Sequence, residues 1–432
     1  MKPFKIAAAG LVSGAAFSLL AAAPATGAAG AATTVNIPCS GPVGGPAGLI
    51  AAISAANAAG GAAINLASGC TYQLTAANNT SPTLGSNGLP VITSPVTVNG
   101  AGTTIAGNHS SFRILEVNGT GNLTLQGLTI TGGNTPGMGG GILNLEGTLT
   151  LNHSQVTGNT AQGGPMSAGG GIASGTLGAG PLGTTTLNAS QVTANTTSGS
   201  AGGLLNRSGT LTLNASQVTG NTAADGGGGI ASGTGGVGTN SASNLVLNSS
   251  QVTGNTANGG PRAGAGGIAN GGTATINSSQ ITGNTAPGGF GGGILNHGQM
   301  TIYASAVDNN TTPADGAGDQ GGGGGIANLN ITPLTGVPNS GVLTLSLTQV
   351  NGNSASGLGG GILENGVNPD DSLGQPGGPL TLQQTQVTGN SATEGGGIFA
   401  STGSPVTLTL SLILGNVPNN CYPSGIIPGC NN

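Results

Sequence analysis

Tryptophan is absent from this 432-residue chain, aromatic residues make up 2% of it, and only 3% of its residues are charged. Both lysines stand near the N-terminus, at Lys2 and Lys5, and the remaining cations are Arg113, Arg207 and Arg262. Each scarcity excludes something. Nucleic acid is not an expected partner, because binding its phosphates requires a basic footprint. Sugar binding by a row of stacked rings is disfavoured, since Tyr72, Tyr303, Tyr422, Phe112, Phe290 and Phe399 do not line up on one face. His109, His153 and His297 occupy no two neighbouring repeats at ligand spacing, so no metal and no cofactor are expected. After the first 31 residues no apolar run of about 18 residues occurs, and no transmembrane segment is expected.

What the N-terminus does contain is the plan of a secretory signal: Met1-Lys2-Pro3-Phe4-Lys5, an apolar run from Ile6 to Ala23, then small residues that fit cleavage after Ala28 or Ala31. The expected product is secreted and extracellular. Removing residues 1–31 leaves three arginines against ten acidic residues, a formal charge of −7. Export also makes the four cysteines, Cys39, Cys70, Cys421 and Cys430, a pairable set.

One phrase recurs between residues 123 and 416: Gly-Gly-Ile, then Asn, then Leu-Thr-Leu-Asn, then Gln-Val-Thr-Gly-Asn. Nine copies are marked by Ile142, Ile172, Leu204, Ile230, Ile268, Ile294, Ile326, Ile362 and Ile398. Each holds three short alternating segments, too short to be stable alone but able to pair with their equivalents one coil later. The pattern therefore predicts an all-β, right-handed parallel β-helix of about ten coils. Its core is expected to stack Ile142 on Ile172 on Leu204, Leu151 on Leu187 on Leu213, and Val156 on Val192 on Val218. Asparagines recur at the same period, as Asn152, Asn188, Asn214, Asn248 and Asn277, and as Asn159, Asn195, Asn221, Asn255 and Asn284. That period favours amide ladders over glycosylation sites. Helical spacing over Leu49–Ala56 supplies a cap for the open end of the stack. The expected organisation is a signal (1–31), a cap with the first coils (32–122), the repeats (123–416) and a C-terminal disulfide loop (417–432). About ten coils at roughly 4.8 Å separate the two cysteine pairs by about 50 Å, so Cys39 is expected to join Cys70, and Cys421 to join Cys430.

These units resemble those of the pectin-lyase-like superfamily of right-handed β-helices. The pairing of Gly-Gly-Gly-Ile with a following Gly-Asn-Thr/Ser is similar to the repeat of chlamydial polymorphic outer-membrane proteins. The likeness covers roughly residues 45–416, without the C-terminal β-barrel translocator of the latter, and the composition resembles that of secreted actinobacterial proteins. It implies the fold strongly. Its members include lyases, hydrolases and adhesins, so it implies function weakly.

Polysaccharide lyases need a base beside calcium carboxylates, and glycoside hydrolases need paired carboxyl groups. Here the mature chain lacks lysine and its acids are scattered. One arrangement stands out, because the loop before each Gly-Gly-Ile should stack along one edge, bringing Asp225, Arg262, Phe290, Asp315, Asp319 and Glu394 to a shallow candidate ligand-binding groove. The same residues also suit a solvated loop edge. Outward threonines at Thr150, Thr186, Thr212, Thr275 and Thr301 resemble an ice-binding array, but Val246 interrupts it and threonine is an ordinary exposed-strand residue. The pattern favours a monomeric secreted rod presenting an extended surface for adhesion or cell-envelope contact, without catalysis. Its expected partner is a polysaccharide or another cell-surface component. A divergent polysaccharide-active enzyme, lyase or hydrolase, is the alternative.

The inside and outside faces can be tested directly. Ile230→Asp, which places a carboxylate between stacked aliphatic side chains, is expected to cost several kcal/mol in thermal unfolding. Thr212→Asp is expected to stay within about 0.5 kcal/mol; equal melting of the two variants would contradict the assigned faces.

Overall fold

Leucine alternates with threonine in Leu149-Thr150-Leu151, so a strand built from it has one apolar side to bury and one to leave in water. In the computed structural model the neighbour one coil on buries the same side. Leu149, Thr150, Leu151 and Asn152 pair in parallel with Thr185, Thr186, Leu187 and Asn188, and these with Leu211, Thr212, Leu213 and Asn214. The structure describes residues 33–431 except 82–83, 110, 165, 177–181, 234–242, 260–263, 316–320, 332–338 and 368–372.

The result is a right-handed parallel β-helix with three strand faces per coil. The first two faces belong to one 23-stranded sheet, because Pro95–Ala106 and Asn122–Thr131 run across both. The third is a 13-stranded sheet in which eleven strands stack in parallel and the other two pair antiparallel as hairpin additions. A smaller five-stranded sheet, from Asn134–Thr135 to Thr256–Ala257, lies along the approach to the third face. The expected columns are present: Ile142 pairs with Ile172 and that with Leu204, while Val156 pairs with Val192 and that with Val218. All are buried. The stack begins earlier than the sequence repeat, since Val35, Ile64, Val98 and Leu125 form one column in successive strands.

Two bends per coil require a left-handed backbone. Between the first and second faces it is adopted by His153, Ala189, Ala215, Ser249 and Ser278, with φ of 45 to 49°. After the second face it is supplied mostly by glycine, as at Gly158, Gly220 and Gly254, where the missing Cβ removes the steric cost. The asparagine following that glycine turns inward. Asn255 accepts the backbone N–H and the side-chain N–H of Asn221, each at 2.9 Å, and donates to the Val218 carbonyl at 3.0 Å. This linkage repeats through Asn159, Asn195, Asn221, Asn255, Asn284, Asn310, Asn353, Asn390 and Asn416. The second expected column, Asn152 to Asn277, forms a half-buried ladder at 2.8–3.1 Å on the outside of the first bend. A buried serine ladder, from Ser154 to Ser305, runs behind it.

At the N-terminal end, helix α1 (Gly45–Ala59) is longer than its apolar spacing implied. It lays Leu49, Ala52, Ile53 and Ala56 over the core. Cys39 bonds to Cys70 and Cys421 to Cys430, with Cα separations of 5.6 and 6.3 Å, as the length of the rod requires.

The two asparagine columns differ in burial and so in energy. Asn255→Ala removes the amide oxygen that accepts two buried N–H groups of Asn221 and is expected to cost roughly 2–4 kcal/mol in denaturant unfolding. Asn248→Ala, in the outer ladder, is expected to cost about 1 kcal/mol or less; equal losses would contradict the different roles given to the two ladders.

Candidate functional site

From the strand Asn122–Thr131 onward, coil length varies on one side only. Asn152 and Gln155, Asn188 and Gln191, and Asn214 and Gln217 are each three positions apart, whereas in the first two coils the same bend is longer, from Asn65 to Thr71 and from Asn99 to Thr104. The connection leaving the third face is residues 271–272 in one coil and 233–242 in another. The connection reaching it likewise runs from 286–293 to 313–325. Length thus varies at the two ends of the third-face strands, whereas the outward positions of the other two faces are mostly Thr, Asn and Gln, interrupted by Val246, Tyr303 and Ala306.

The outer side of the third sheet holds two columns. The first, Leu143, Ala173, Leu205, Ala231, Ala269, Leu295, Ala327 and Leu363, is buried even though it faces away from the core. Residues of the preceding loops cover it: Leu84 and Met138 at one end, Phe290 and Leu358 at the other. The second column, nearer the following loop, runs Leu145, Gly175, then Arg207, Gly233, Gly271, His297 in succeeding coils. Here the polar chemistry gathers. Glu146 Oε1 accepts the Thr176 hydroxyl at 2.8 Å, and a recess beside them is bounded by Met138, Leu143, Leu145, Ala173, Thr176 and Arg207. Three coils on, roughly 14 Å at the strand spacing, His297 folds its ring over Gly271, where burial pushes the imidazole down to about 4 and leaves it neutral at physiological pH. At the C-terminal end of the same face, the half-buried rings of Phe399 and Tyr422 stack with centroids 5.6 Å apart.

The loop edge anticipated from sequence exists, with a different composition. Phe290 pairs with Gly322, Gly323 bonds to Leu358, and Leu358 pairs with Glu394, so these residues share one column. Asp225 pairs with Ser200 in its continuation and is exposed, its carboxylate held by the Gly226 N–H at 2.6 Å. Glu394 is half-buried five coils farther on, about 24 Å away, so the two acids form no group. Phe290 is 7% exposed and serves as cover for the apolar column rather than as an open ring. Asp315 lies against Gly288. Arg262 and Asp319 lie outside the described residues. The stacked pair Phe399 and Tyr422 corrects the expectation that no aromatic residues line up: both follow a stack position, Ile398 and Cys421, in paired strands. Among the described residues no group of three or more His, Cys, Asp or Glu side chains could hold a metal ion.

Two buried ionisable arrangements gave no sequence signal. Arg113, fully buried, bonds Asn87 Oδ1 at 2.8 Å, the Met138 and Gly85 carbonyls at 3.1 and 3.2 Å and the Leu84 carbonyl, and pairs with Glu116 at 3.3 Å. Desolvation pulls the guanidinium down to about 10, opposed by Glu116, so it stays charged. It ties the first coils to the loop at Met138. Farther along, a third inward ladder runs Asn270, Asn296, Asn328 at 2.8 and 2.7 Å and ends on Glu364, whose Oε2 accepts from Asn328 at 2.8 Å. Burial pushes the Glu364 carboxyl up to about 9 against the opposing hydrogen bonds from Asn328 and Gly378. Its Oε1 has no hydrogen-bond partner among the described residues and is packed under Gly377.

No protein-family model matches this chain, and no curated protein matches it. Among solved structures it is similar to the A-module of mannuronan C-5 epimerase AlgE6 from Azotobacter vinelandii, with a TM-score of 0.50 and 15% identity, over 85% of this chain and 94% of that one. At that identity the similarity concerns the fold, a parallel β-helix. No helix among the described residues is long and apolar enough to cross a membrane.

Glu364 gives a pH test whose sign is fixed. A carboxyl near 9 when folded and near 4.5 when unfolded takes up protons on folding, so its stabilising contribution is complete below about pH 4.5 and is lost as pH rises towards 9. Glu364→Gln is expected to melt like the parent protein at pH 4 and to exceed it by about 3 kcal/mol near neutrality. A difference independent of pH would contradict a neutral buried acid.

Proposed function

We propose that this chain is an exported glycan-binding rod whose binding surface is the outer side of the third sheet. The observation that carries the reading is a coincidence: the side where loop length varies is also the side where Glu146, Arg207, His297 and the Phe399–Tyr422 stack are gathered in an otherwise charge-poor and ring-poor chain. A guanidinium and a hydroxyl–carboxylate pair beside an apolar recess suit the hydroxyl and carboxyl groups of a sugar, and stacked rings suit its C–H face. The spread of these groups over several coils, with Arg207 and His297 roughly 14 Å apart, suits an extended polymer better than an isolated small molecule. In this reading the chain is a member of the pectin-lyase-like superfamily. Residues 1–31 are its leader, 32–122 a cap with the first coils, 123–416 the repeats and 417–432 a terminal loop. The basic-then-apolar N-terminus and the two disulfides support export. Attachment to a cell-surface polysaccharide, without turnover, is the biological role the reading assigns.

A second reading, modification of the bound polysaccharide, draws on the similarity in fold to a mannuronan epimerase. It would use acids of the loop edge, Asp315 and Asp319 foremost.

Binding to a panel of polyuronates and neutral glycans, measured by affinity electrophoresis with product masses recorded, separates the readings. Retention of at least one polymer, unchanged product masses, and at least about tenfold weaker binding by Arg207→Ala and Tyr422→Ala at unchanged melting temperature are expected. Products whose formation is abolished by Asp315→Asn or Asp319→Asn would establish the enzymatic reading instead. No retention on any polymer would overturn the proposal.

A further inference from the structure

Asparagine followed by glycine is a reactive pair in any chain. The glycine nitrogen can attack the asparagine side-chain amide, and without a Cβ on the glycine nothing holds the two groups apart. The step forms an N–Cγ bond, breaks the Cγ–Nδ2 bond and releases ammonia; water then opens the succinimide ring at either carbonyl, leaving aspartate or isoaspartate. It requires an asparagine side chain free to turn back on the backbone and a glycine N–H that is not engaged elsewhere. Seven such pairs occur in the chain.

The coil geometry blocks six of them. In four the glycine N–H is bonded to a neighbouring coil: Gly88 donates to the Arg113 carbonyl at 2.8 Å, Gly119 to Leu145 at 3.1 Å, Gly271 to Ser232 at 2.7 Å and Gly352 to Thr388 at 3.1 Å. In two more the side chain is held. Asn99 Nδ2 donates to Asn65 at 2.9 Å in the outer ladder, and the buried Asn365 accepts the Ser401 hydroxyl at 2.5 Å. Asn258–Gly259 differs from all of these. Both residues are exposed, and among the described residues neither the Asn258 side chain nor the Gly259 N–H has a hydrogen-bond partner. The backbone just before the pair is anchored, because Thr256 and Ala257 pair with Thr222 and Ala223 and the Asn258 N–H donates to the Ala223 carbonyl at 2.8 Å. The reactive groups are thus left open at the point where the ladder ends.

We propose that Asn258–Gly259 is a self-modification site, at which the folded molecule acquires a carboxylate and an isomerised backbone as it ages. The pair lies on the connection reaching the third face. Asp225, two residues beyond Ala223, belongs to the coil before, so the new negative charge arises beside an existing one. Isoaspartate also adds one carbon to the backbone of that connection. An altered rim of the glycan-binding surface follows from the function proposed above, whereas the modification itself does not depend on it.

Incubation of the folded chain, disulfides intact, in mildly alkaline buffer over weeks, with peptide mapping of aspartate and isoaspartate at every Asn-Gly pair, tests this. Conversion at residue 258 is expected to run at least about tenfold ahead of the other six pairs and to slow at least about tenfold in Gly259→Ala, whose Cβ hinders the attack. Isoaspartate is expected together with aspartate. In the reduced chain held in denaturant the lead of residue 258 is expected to disappear, because the fold alone separates it from the other pairs. Conversion at 258 no faster than at another pair in the folded chain, aspartate without isoaspartate, an unaffected Gly259→Ala variant, or a lead that persists in denaturant would each overturn the proposal.

Discussion

The buried amide of each Gly-Asn turn is the interaction on which the remaining geometry depends. A solenoid coil must reverse direction inside the molecule, and the reversal leaves backbone N–H and C=O groups that no strand neighbour can reach. Asn159, Asn195, Asn221 and their successors meet that need with one side chain, which accepts a backbone N–H of the coil before it and donates to a backbone carbonyl of that same coil. Because each amide must reach the next at hydrogen-bond distance, the rise per coil and the rotational phase of every coil are fixed together. Aliphatic columns follow from that phase: once Asn221 stands over Asn195, Val218 stands over Val192 and Leu213 over Leu187.

Fixing the phase on two faces frees the third. The bend between the first and second faces is held from outside by the Asn152 column and from inside by the Ser154 column, and an insertion there would break both ladders. The connections around the third sheet carry no such double constraint, which is why coil length varies there. The cost is a second apolar column on the outside of the sheet, buried under loop residues such as Met138 and Phe290 rather than within the helix. Surface chemistry is thereby confined to the strip beyond that cover, where Arg207 and His297 lie with glycines between them.

Much of the fold was legible because identical residues at one period leave few alternatives: the columns, the two outer faces, the capping helix and both disulfides follow from counting positions. The site was legible in outline only. Phe290 and Glu394 do share a column, but the pattern cannot show that loop residues are drawn inward by the apolar outer face, which buries the phenylalanine. Glu364 was obscured because a single glutamate in an asparagine column reads as surface variation, whereas it sits fully buried at the end of a ladder. Phe399 and Tyr422 belong to coils whose spacing is irregular in sequence, and only pairing of their strands reveals the stack.

The ladder makes a demand on the turns that an ordinary loop would not meet. Hydrogen–deuterium exchange resolved to the Thr-Gly-Asn-Thr segments around Asn221, Asn255 and Asn284 measures it directly. If the buried amides set the coil geometry, the N–H groups of these asparagines exchange as slowly as those of Leu213 and Leu247 in the adjoining strands. Exchange at the rate of exposed turns, while the strands remain protected, would contradict the account.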